Sequence, residues 1–520
     1  MEGLQLEDPY DVESRDKLKD LPGIRVTDDG RIYGSIDALS AALARLGEPP
    51  LKPELPEQVT SLPGLRHYQN EGVARLRHLL TEHRGALLAD DMGLGKTRQA
   101  IAVATAVCRW QQPTDPGRAL ICCPASVRET WAQELAAMGV TDVAICRPQG
   151  AKGAKEEWKK ARTARCVVTS YDLATRAIEQ GFSNTLPLLV ILDEAHLLKG
   201  RKTQRSDQVQ ALAAMAMYRL AITATPQWDR PRDNYKLLRI LFGTRFGSAW
   251  DFDIAYCGGK ENEHGGLDNK GATRTEELRH RLGFYMVRRE KKDVLTELPP
   301  LTRQVLWVDA QPKATQWLNT ALTRHRAGDV HAAIEATLLG KMPVAIQLAK
   351  DAKRFLLFTY LKAHARQMAQ LLNEEGTPCV CITGDDTTEK RNALAQLAQA
   401  KGQGVVASID SLSVGVNLQA VAEVGIFHAL DYVPQKMAQA EARLHRMGQK
   451  NAVTWYWLAM KDSIDEVIVR TVVHKLDQWT EVMGKGGATE IRNKLNAAIG
   501  VGEEAEKAAL AALYAEMGDE

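Results

Sequence analysis

The residues best suited to chemistry form one run, Asp90-Asp91-Met92-Gly93-Leu94-Gly95-Lys96-Thr97. Glycines ahead of a lysine and a hydroxyl make a loop whose backbone N–H groups wrap a polyphosphate, and a following helix N-terminus adds its favourable dipole. In that chemistry Lys96 reaches the β- and γ-phosphates of ATP, and the Thr97 hydroxyl holds Mg2+. The strict phosphate-loop pattern has Gly where Asp90 stands. A glycine turn before a helix need have no function, but Gly-Lys-Thr at a strand–helix junction favours the phosphate reading. Downstream, Asp193-Glu194-Ala195-His196 closes an apolar stretch. A carboxylate at a strand end beside such a loop suits Asp193 to Mg2+, leaving Glu194 to orient and deprotonate the attacking water. Gln439, Arg443 and Arg446 step by four and three, which on a helix is one face. Two guanidinium groups there are candidates to stabilise a transferring phosphoryl group, although a solvated basic face has the same spacing.

These residues need a scaffold of strands and helices. RGALLAD (84–90) runs into the glycine loop, and an amphipathic helix is predicted from Lys96. RALICCP (118–124), RCVVTSY (165–171), PLLVILD (187–193) and YRLAITA (218–224) are further strand candidates. The pattern lapses over 230–350, where helical periodicity and a polar, glycine-rich stretch at 257–271 prevail. It returns with KRFLLFTY (353–360), TPCVCITG (377–384), QGVVASI (403–409) and EVGIFHAL (423–430). Buried strands alternating with helices predict an α/β fold with parallel sheets covered on both faces. Two such lobes joined by a mainly helical insert is the simplest arrangement.

The 520 residues, 25% charged and 45% apolar, suit a folded chain of about three domains. Lys and Arg total 67 against 65 Asp and Glu, a balance that neither requires nor excludes a nucleic-acid partner. No apolar run of membrane-spanning length is read from the sequence, and the acidic N-terminus lacks a signal-peptide core. The eight cysteines never adopt CxxC spacing, and Cys122, Cys123, Cys379 and Cys381 fall in apolar strand patterns. Neither zinc nor disulfides are expected, which fits a reducing cytoplasm. Cys257 and His264 are too few for a zinc site. Trp455 and Trp457, in VTWYWLAM, read as packing residues.

In this order the segments resemble the SWI/SNF-type ATPases of the superfamily-two helicase group over residues 61–480. The resemblance implies two RecA-like lobes with parallel sheets, a mainly helical insert and a small N-terminal α+β unit. The corresponding boundaries are 1–55 for the N-terminal unit, 61–305 and 306–500 for the lobes, and 501–520 for a helical tail. LRHYQNEGV (65–73) looks like the adenine-reading segment, which implies Gln69 as the base contact. ADDMGLGKT looks like motif I, with Asp91 where Glu is more usual, and implies nucleotide binding by Asp91, Met92, Gly93, Leu94, Gly95, Lys96 and Thr97. PASVRETW (124–131) looks like motif Ia and ITATP (222–226) like motif III, implying nucleic-acid contacts at Ser126, Arg128 and Thr223. SIDSLSVGVNLQAV (408–421) looks like motif V, implying Ser411 on nucleic acid and Gly415 on nucleotide. QAEARLHRMGQ looks like motif VI, implying Gln439 on nucleotide and Arg443 and Arg446 as arginine fingers. Lys199-Gly200 follows motif II where the family has Lys-Asn, and makes Lys199 a nucleic-acid candidate. Arg288-Arg289-Glu290-Lys291-Lys292-Asp293-Val294, closing at Leu298-Pro299, matches the family's RRxKxDVxxxLP element.

Within the family, PQWDRPRDNYKLLRIL (226–241) and the FDIAYC segment resemble the HepA-related, annealing-helicase branch. The N-terminal stretch resembles a reduced HARP module, with Tyr33 in place of its usual tryptophan. The implied activity is ATP hydrolysis, with Mg2+, in the cleft between two lobes. The implied work is movement on duplex DNA and remodelling or annealing of branched or partly unwound structures. A monomer in a bacterial or phage-infected cell, nucleoid-associated and away from membranes, is the expected setting. Two other readings stay open: an ATPase that displaces a protein such as RNA polymerase from DNA, and a non-catalytic DNA-binding scaffold. Retention of Lys96, Thr97, Asp193, Glu194, Arg443 and Arg446 weighs against the scaffold.

Overall fold

The computed structural model describes residues 4–5, 18, 21–27, 32–45, 59–112, 117–148, 150, 152–174, 186–198, 204–224, 231–261, 267–269, 271–324, 327–411, 418, 421–431 and 434–483. Contacts divide the chain into two compact units, with the boundary between Val294 and Leu295. Most of the terminal helix Ile464–Met483 belongs to the second unit.

The first unit begins with a small antiparallel sheet of β1 (Leu4–Gln5), β2 (Ile24–Val26) and β3 (Ile32–Gly34), in the order β1-β3-β2, followed by the helix Ile36–Arg45. Its main sheet holds β4 (Gly85–Leu88), β5 (Ala119–Cys123), β6 (Val143–Ile145), β7 (Cys166–Ser170), β8 (Leu189–Asp193) and β9 (Tyr218–Ile222). A short hairpin of β10 (Lys260–Glu261) and β11 (Leu267–Asp268) lies apart, and β12 (Met286–Val287) completes the main sheet. The order is β12-β4-β9-β8-β5-β7-β6, with every pairing parallel. All residues of β4, β5 and β7 are buried, as expected for apolar strands covered on both faces.

The second unit carries β13 (Leu301–Val308), β14 (Phe355–Thr359), β15 (Cys379–Ile382), β16 (Gly404–Ser408), β17 (Val424–Phe427) and β18 (Val453–Met460). These form a second all-parallel sheet, ordered β13-β18-β17-β14-β16-β15. Trp455 and Trp457 are buried packing residues: the Trp455 ring stacks on Phe427 with centroids 4.5 Å apart.

The helices of the expected insert divide between the two units. The helices Pro231–Phe242, Ala249–Tyr256 and Thr275–Gly283 belong to the first unit, whereas Pro312–Arg324 and Ala327–Ala352 belong to the second. The second unit also starts before residue 306, because β13 pairs along its whole length with β18, from Leu301 opposite Val453 to Val308 opposite Met460. Thr302, Arg303 and Gln304 break its apolar pattern, which an edge strand tolerates because it packs on only one side. The expectation of no span-length apolar run is corrected as well: the helical stretch Gly328–Ala352 is long and apolar enough to cross a membrane, by length and composition only. It packs against β14, β17 and β18, and buries Lys341, whose Nζ lies 2.6 Å from Asp465 Oδ2. That is the behaviour of a core helix.

The N-terminal sheet and helix are fastened to the first unit by charge. Arg281 and Asp37 both have fully buried side chains, with Nε donating to Oδ2 at 2.7 Å. The same guanidinium donates to the carbonyls of Pro22 (2.7 Å) and Arg245 (2.9 Å) and to the Tyr256 hydroxyl (3.0 Å). Its Cζ lies 4.7 Å from the Phe246 ring centroid. The Tyr285 hydroxyl donates to the other Asp37 oxygen. Burial alone would lower the Arg281 guanidinium, but Asp37 and Tyr256 outweigh it and hold the group charged. Arg45 with Glu277 (2.7 Å) and Ser40 with His280 (2.7 Å) extend the seam.

Removing one partner of such a pair strands a buried charge. Asp37→Ala should therefore lower the stability of the first unit by about 3–5 kcal/mol, read from its urea midpoint. The double change Asp37→Leu with Arg281→Met should recover most of that loss, because no charge is left buried.

Candidate nucleotide site and its positioning residues

Parallel strands all end at one sheet edge, where open α/β folds bind ligands. The phosphate loop follows β4 and leads into the helix Lys96–Val107. Asp193 ends β8, and β9 lies between β8 and β4. Two strand spacings place the loop and the acid about 10 Å apart across the sheet. Gly95 caps the helix at φ 73°, a left-handed conformation, and a Cβ there would sit 2.2 Å from Gln69 Nε2. The left-handed φ favours glycine, and a Cβ would also displace the Gln69 amide.

The Lys96 ammonium lies across its own loop, donating to the carbonyls of Asp90 (2.9 Å) and Asp91 (3.0 Å). Burial lowers its pKa, while Glu194 and then Asp90, Asp91 and Asp193 act to keep it charged. The loop lysine and the acids Asp193 and Glu194, distant in sequence, thus share one electrostatic environment.

Trp131 Nε1 donates to Asp193 Oδ2 at 2.7 Å, the Glu194 backbone N–H donates to Oδ1 at 2.9 Å, and the Tyr171 hydroxyl donates to the Asp193 carbonyl at 2.7 Å. Burial raises the Asp193 carboxyl, and the neighbouring Glu194 raises it further, against the opposing effects of Trp131, the Glu194 N–H and Lys96. A divalent cation relieves that kind of enclosure and repulsion. Each Asp193 oxygen also has acceptor capacity beyond its one hydrogen bond, and carboxylate and hydroxyl oxygens are the ligands Mg2+ takes. The Asp193 carboxylate therefore fits the ion, and the Thr97 hydroxyl is a ligand of the type it takes. Glu194 adopts a left-handed φ of 49°, unusual outside glycine and concentrated at functional sites. His196 Nδ1 lies 3.2 Å from both Glu194 Oε2 and Thr223 Oγ1, which connects β8 to the end of β9.

The remaining residues that the resemblance implies are placed as follows. Gln69, expected on adenine, is buried between two backbone groups: Oε1 accepts from Arg66 N (2.9 Å) and Nε2 donates to Leu94 O (3.0 Å). It braces the phosphate loop. Thr223 and Ser411, expected on nucleic acid, are buried as well, the Ser411 hydroxyl within reach of the carbonyls of Ser408 (2.6 Å) and Ile382 (3.1 Å). Ser126 is half-buried in the turn Ala125–Val127, and Arg128 begins the next helix with donors on Ala125 O and Cys146 O. Lys199 and Gly415 lie outside the described residues.

In the second unit the motif VI helix is Pro434–Glu441, so Gln439 is helical but Arg443 and Arg446 are not. Arg443 lies in tight turns closed by Arg443 N to Ala440 O and Leu444 N to Glu441 O, both 3.1 Å, and Arg446 opens a separate turn closed by Gln449 N on its carbonyl (3.0 Å), so a shared helical face is corrected. Glu441 anchors this segment: Arg303 forks onto it (2.7 and 2.9 Å), and Trp457 Nε1 donates to it (3.3 Å). His445 Nε2 meets Pro299 O at 2.8 Å. Sequence reasoning assigned no role to Trp131, Tyr171, Arg303 or Glu441. Trp131 and Tyr171 lie 62 and 22 residues from Asp193, and Arg303 lies 138 from Glu441, beyond any local spacing rule.

A family model for the SNF2-related domain matches residues 68–364, and one for the helicase conserved C-terminal domain matches 338–448. The chain is 28% identical over 466 residues to the Xenopus tropicalis SWI/SNF-related matrix-associated actin-dependent regulator of chromatin subfamily A-like protein 1, covering 85% of this chain and 47% of that protein. It is 26% identical over 432 residues to the Homo sapiens DNA annealing helicase and endonuclease ZRANB3, covering 77% of this chain and 39% of that one. The chain thus spans about half the length, or less, of these curated relatives. The solved Sulfolobus solfataricus SWI2/SNF2 ATPase core in complex with dsDNA aligns at a TM-score of 0.40 and 21% identity, over 87% of this chain and 100% of that one. With the first family model spanning the phosphate loop, the Asp193–Glu194 strand end and the segment beyond, the chain belongs to the SNF2-related family.

Proposed function

We propose that this chain is an ATP-driven motor that moves along duplex DNA and remodels or anneals branched or partly unwound DNA. The observation that carries the ATPase part is the phosphate loop with Lys96 held electrostatically beside Asp193 and Glu194 at one edge of a parallel sheet. Membership of the SNF2-related family supports a DNA track, and the similarity to a protein named a DNA annealing helicase supports the remodelling role. The setting we propose is a monomer acting in the cytoplasm on nucleoid DNA.

In this reading, the N–H groups of residues 91–97 cradle the β- and γ-phosphates, and Lys96 exchanges its loop carbonyls for phosphate oxygens. Thr97 and Asp193 would hold Mg2+, which supplies charge neutralisation at the phosphates when bound. Glu194 aligns the attacking water and takes its proton, with His196 limiting where its carboxylate can point. Arg443 and Arg446 are assigned to stabilise negative charge on the transferred phosphoryl group, a role that arginine fills through its planar, permanently charged fork. Trp131 keeps Asp193 oriented. Hydrogen-bonded neighbours of metal ligands are what fix such geometry.

Glu194→Gln should reduce ATP turnover by about 10²–10⁴-fold while nucleotide binding persists, measured by phosphate release and fluorescent-ADP titration. Arg443→Ala should reduce turnover by about 10³-fold or more, measured by phosphate release, and turnover within a few-fold of wild type would overturn the finger assignment. The track is tested by comparing turnover with duplex, forked and single-stranded DNA and with RNA. Stimulation by RNA alone would overturn the DNA reading, and an inert fork-regression and annealing assay with active ATPase would overturn the remodelling role. Trp131→Phe keeps an aromatic ring, smaller than the indole, and removes the N–H. It should weaken Mn2+ binding in the presence of ADP by about 10–100-fold, as followed by electron paramagnetic resonance.

A further inference from the structure

The phosphate loop departs from the common pattern at Asp90 and Asp91, and both departures meet the same segment. Arg289 follows the two-residue strand β12, whose neighbour in the sheet is β4. Arg289 Nε donates to Asp90 Oδ1 at 3.0 Å, and Nη2 donates to Asp90 Oδ2 and, at 2.6 Å, to Gln99 Oε1. Gln99 closes the ring by donating from Nε2 to Asp90 Oδ2 at 2.9 Å. Nη1 donates to the Tyr68 carbonyl, and Cζ lies 5.2 Å from the Tyr68 ring centroid. Asp90 and Gln99 are fully buried. The adjoining backbone holds the second acid: Asp91 N donates to Arg289 O (3.0 Å), and Lys291 N donates to Asp91 Oδ2 (3.1 Å).

A buried aspartate in place of glycine would be costly if unpaired. The bidentate fork of an arginine satisfies it, and lysine has no equivalent geometry. Room for the fork is made by Gly72, where a Cβ would come within 2.2 Å of Gln99 Oε1 and 2.5 Å of Arg289 Nη2. Gln99 lies one turn into the helix that starts at Lys96, and Tyr68, whose hydroxyl reaches Leu94 O at 3.2 Å, lies beside Gln69. The network therefore grips the loop at both ends. The two carbonyls that hold the Lys96 ammonium are those of Asp90 and Asp91.

We propose that Arg289 is a positioning residue of the nucleotide site: through Asp90 and Gln99 it sets the conformation of the phosphate loop, and so the affinity for the nucleotide diphosphate. Arg289 touches neither substrate nor reacting atoms. The RRxKxDV element of the sequence thereby acquires a physical task, with Arg289 as its working member. The proposal rests on the reading of 90–97 as a nucleotide site, so the test separates the two.

Fluorescent ADP is titrated into the wild-type chain, Lys96→Ala, Arg289→Lys and Gln99→Leu, and affinity and stoichiometry are fitted separately, beside thermal unfolding of each variant. Asp37→Asn, a buried-pair variant at the N-terminal seam, serves as a control for general destabilisation and should bind with wild-type affinity. Arg289→Lys, which keeps the charge and loses the fork, should bind about tenfold or more weakly at full stoichiometry. Gln99→Leu, which leaves the ion pair in place, should weaken binding in the same direction. Wild-type affinity in both variants would overturn the proposal. So would a loss of stoichiometry with unchanged affinity in the folded fraction, because that is what a merely structural pair would produce. Absence of ADP binding by the wild-type chain would instead overturn the nucleotide-site reading itself.

Discussion

Parallel pairing is the constraint on which the site depends. In an antiparallel sheet alternate strands end at opposite edges, so residues following successive strands are separated by the full strand length. Here β12, β4, β9, β8 and β5 all run the same way, and the segments following them lie along a single edge. The phosphate loop, the Thr223 turn, Asp193 and the segment leading to Trp131 are neighbours for that reason alone. The right-handed crossover helices that parallel pairing demands then place helix N-termini, with their unsatisfied N–H groups, at the same edge.

Gathering charge at one edge creates a second problem, which the structure answers with specific partners. Asp193 and Glu194 repel one another in a partly buried place and are offset by Lys96 and by N–H groups from Trp131 and the backbone. Asp90 is enclosed completely and is met by an arginine fork. Glu441, in the second unit, is likewise buried and met by Arg303. In each case the acid belongs to a motif, while its partner comes from a remote segment. Segments distant in sequence thus hold the geometry of the acids that carry the chemistry.

The N-terminal sheet and helix follow the same logic in the first unit. Arg281 gathers Asp37, Pro22, Arg245 and Tyr256 around one guanidinium, so this small unit is joined to the helices after β9 by a satisfied buried charge. A module of a few short elements buries too little apolar surface to be stable by itself. Its core of Leu18, Leu21, Ile32, Leu39, Ala41 and Ala42 is correspondingly small.

The sequence by itself determined the parallel α/β character, because β4, β5, β7 and β8 are apolar runs cut by helical periodicity. It also determined the reacting groups, because Gly-Lys-Thr after a strand and Asp-Glu at a strand end are local patterns with local physical reasons. Only the tertiary structure decided how those groups are held. Trp131 reaches Asp193 across 62 positions and Arg289 reaches Asp90 across 199, distances over which no periodicity operates. The edge strand β13 and the two-residue β12 escaped notice because their place in a sheet comes from their partners' geometry and not from an apolar run of their own. Arg443 and Arg446 kept helical spacing in sequence, yet the helix ends at Glu441, where anchoring by Arg303 and Trp457 outweighs local propensity. Covalent neighbours fix which residues can do the chemistry, whereas burial and long-range pairing fix where those residues point.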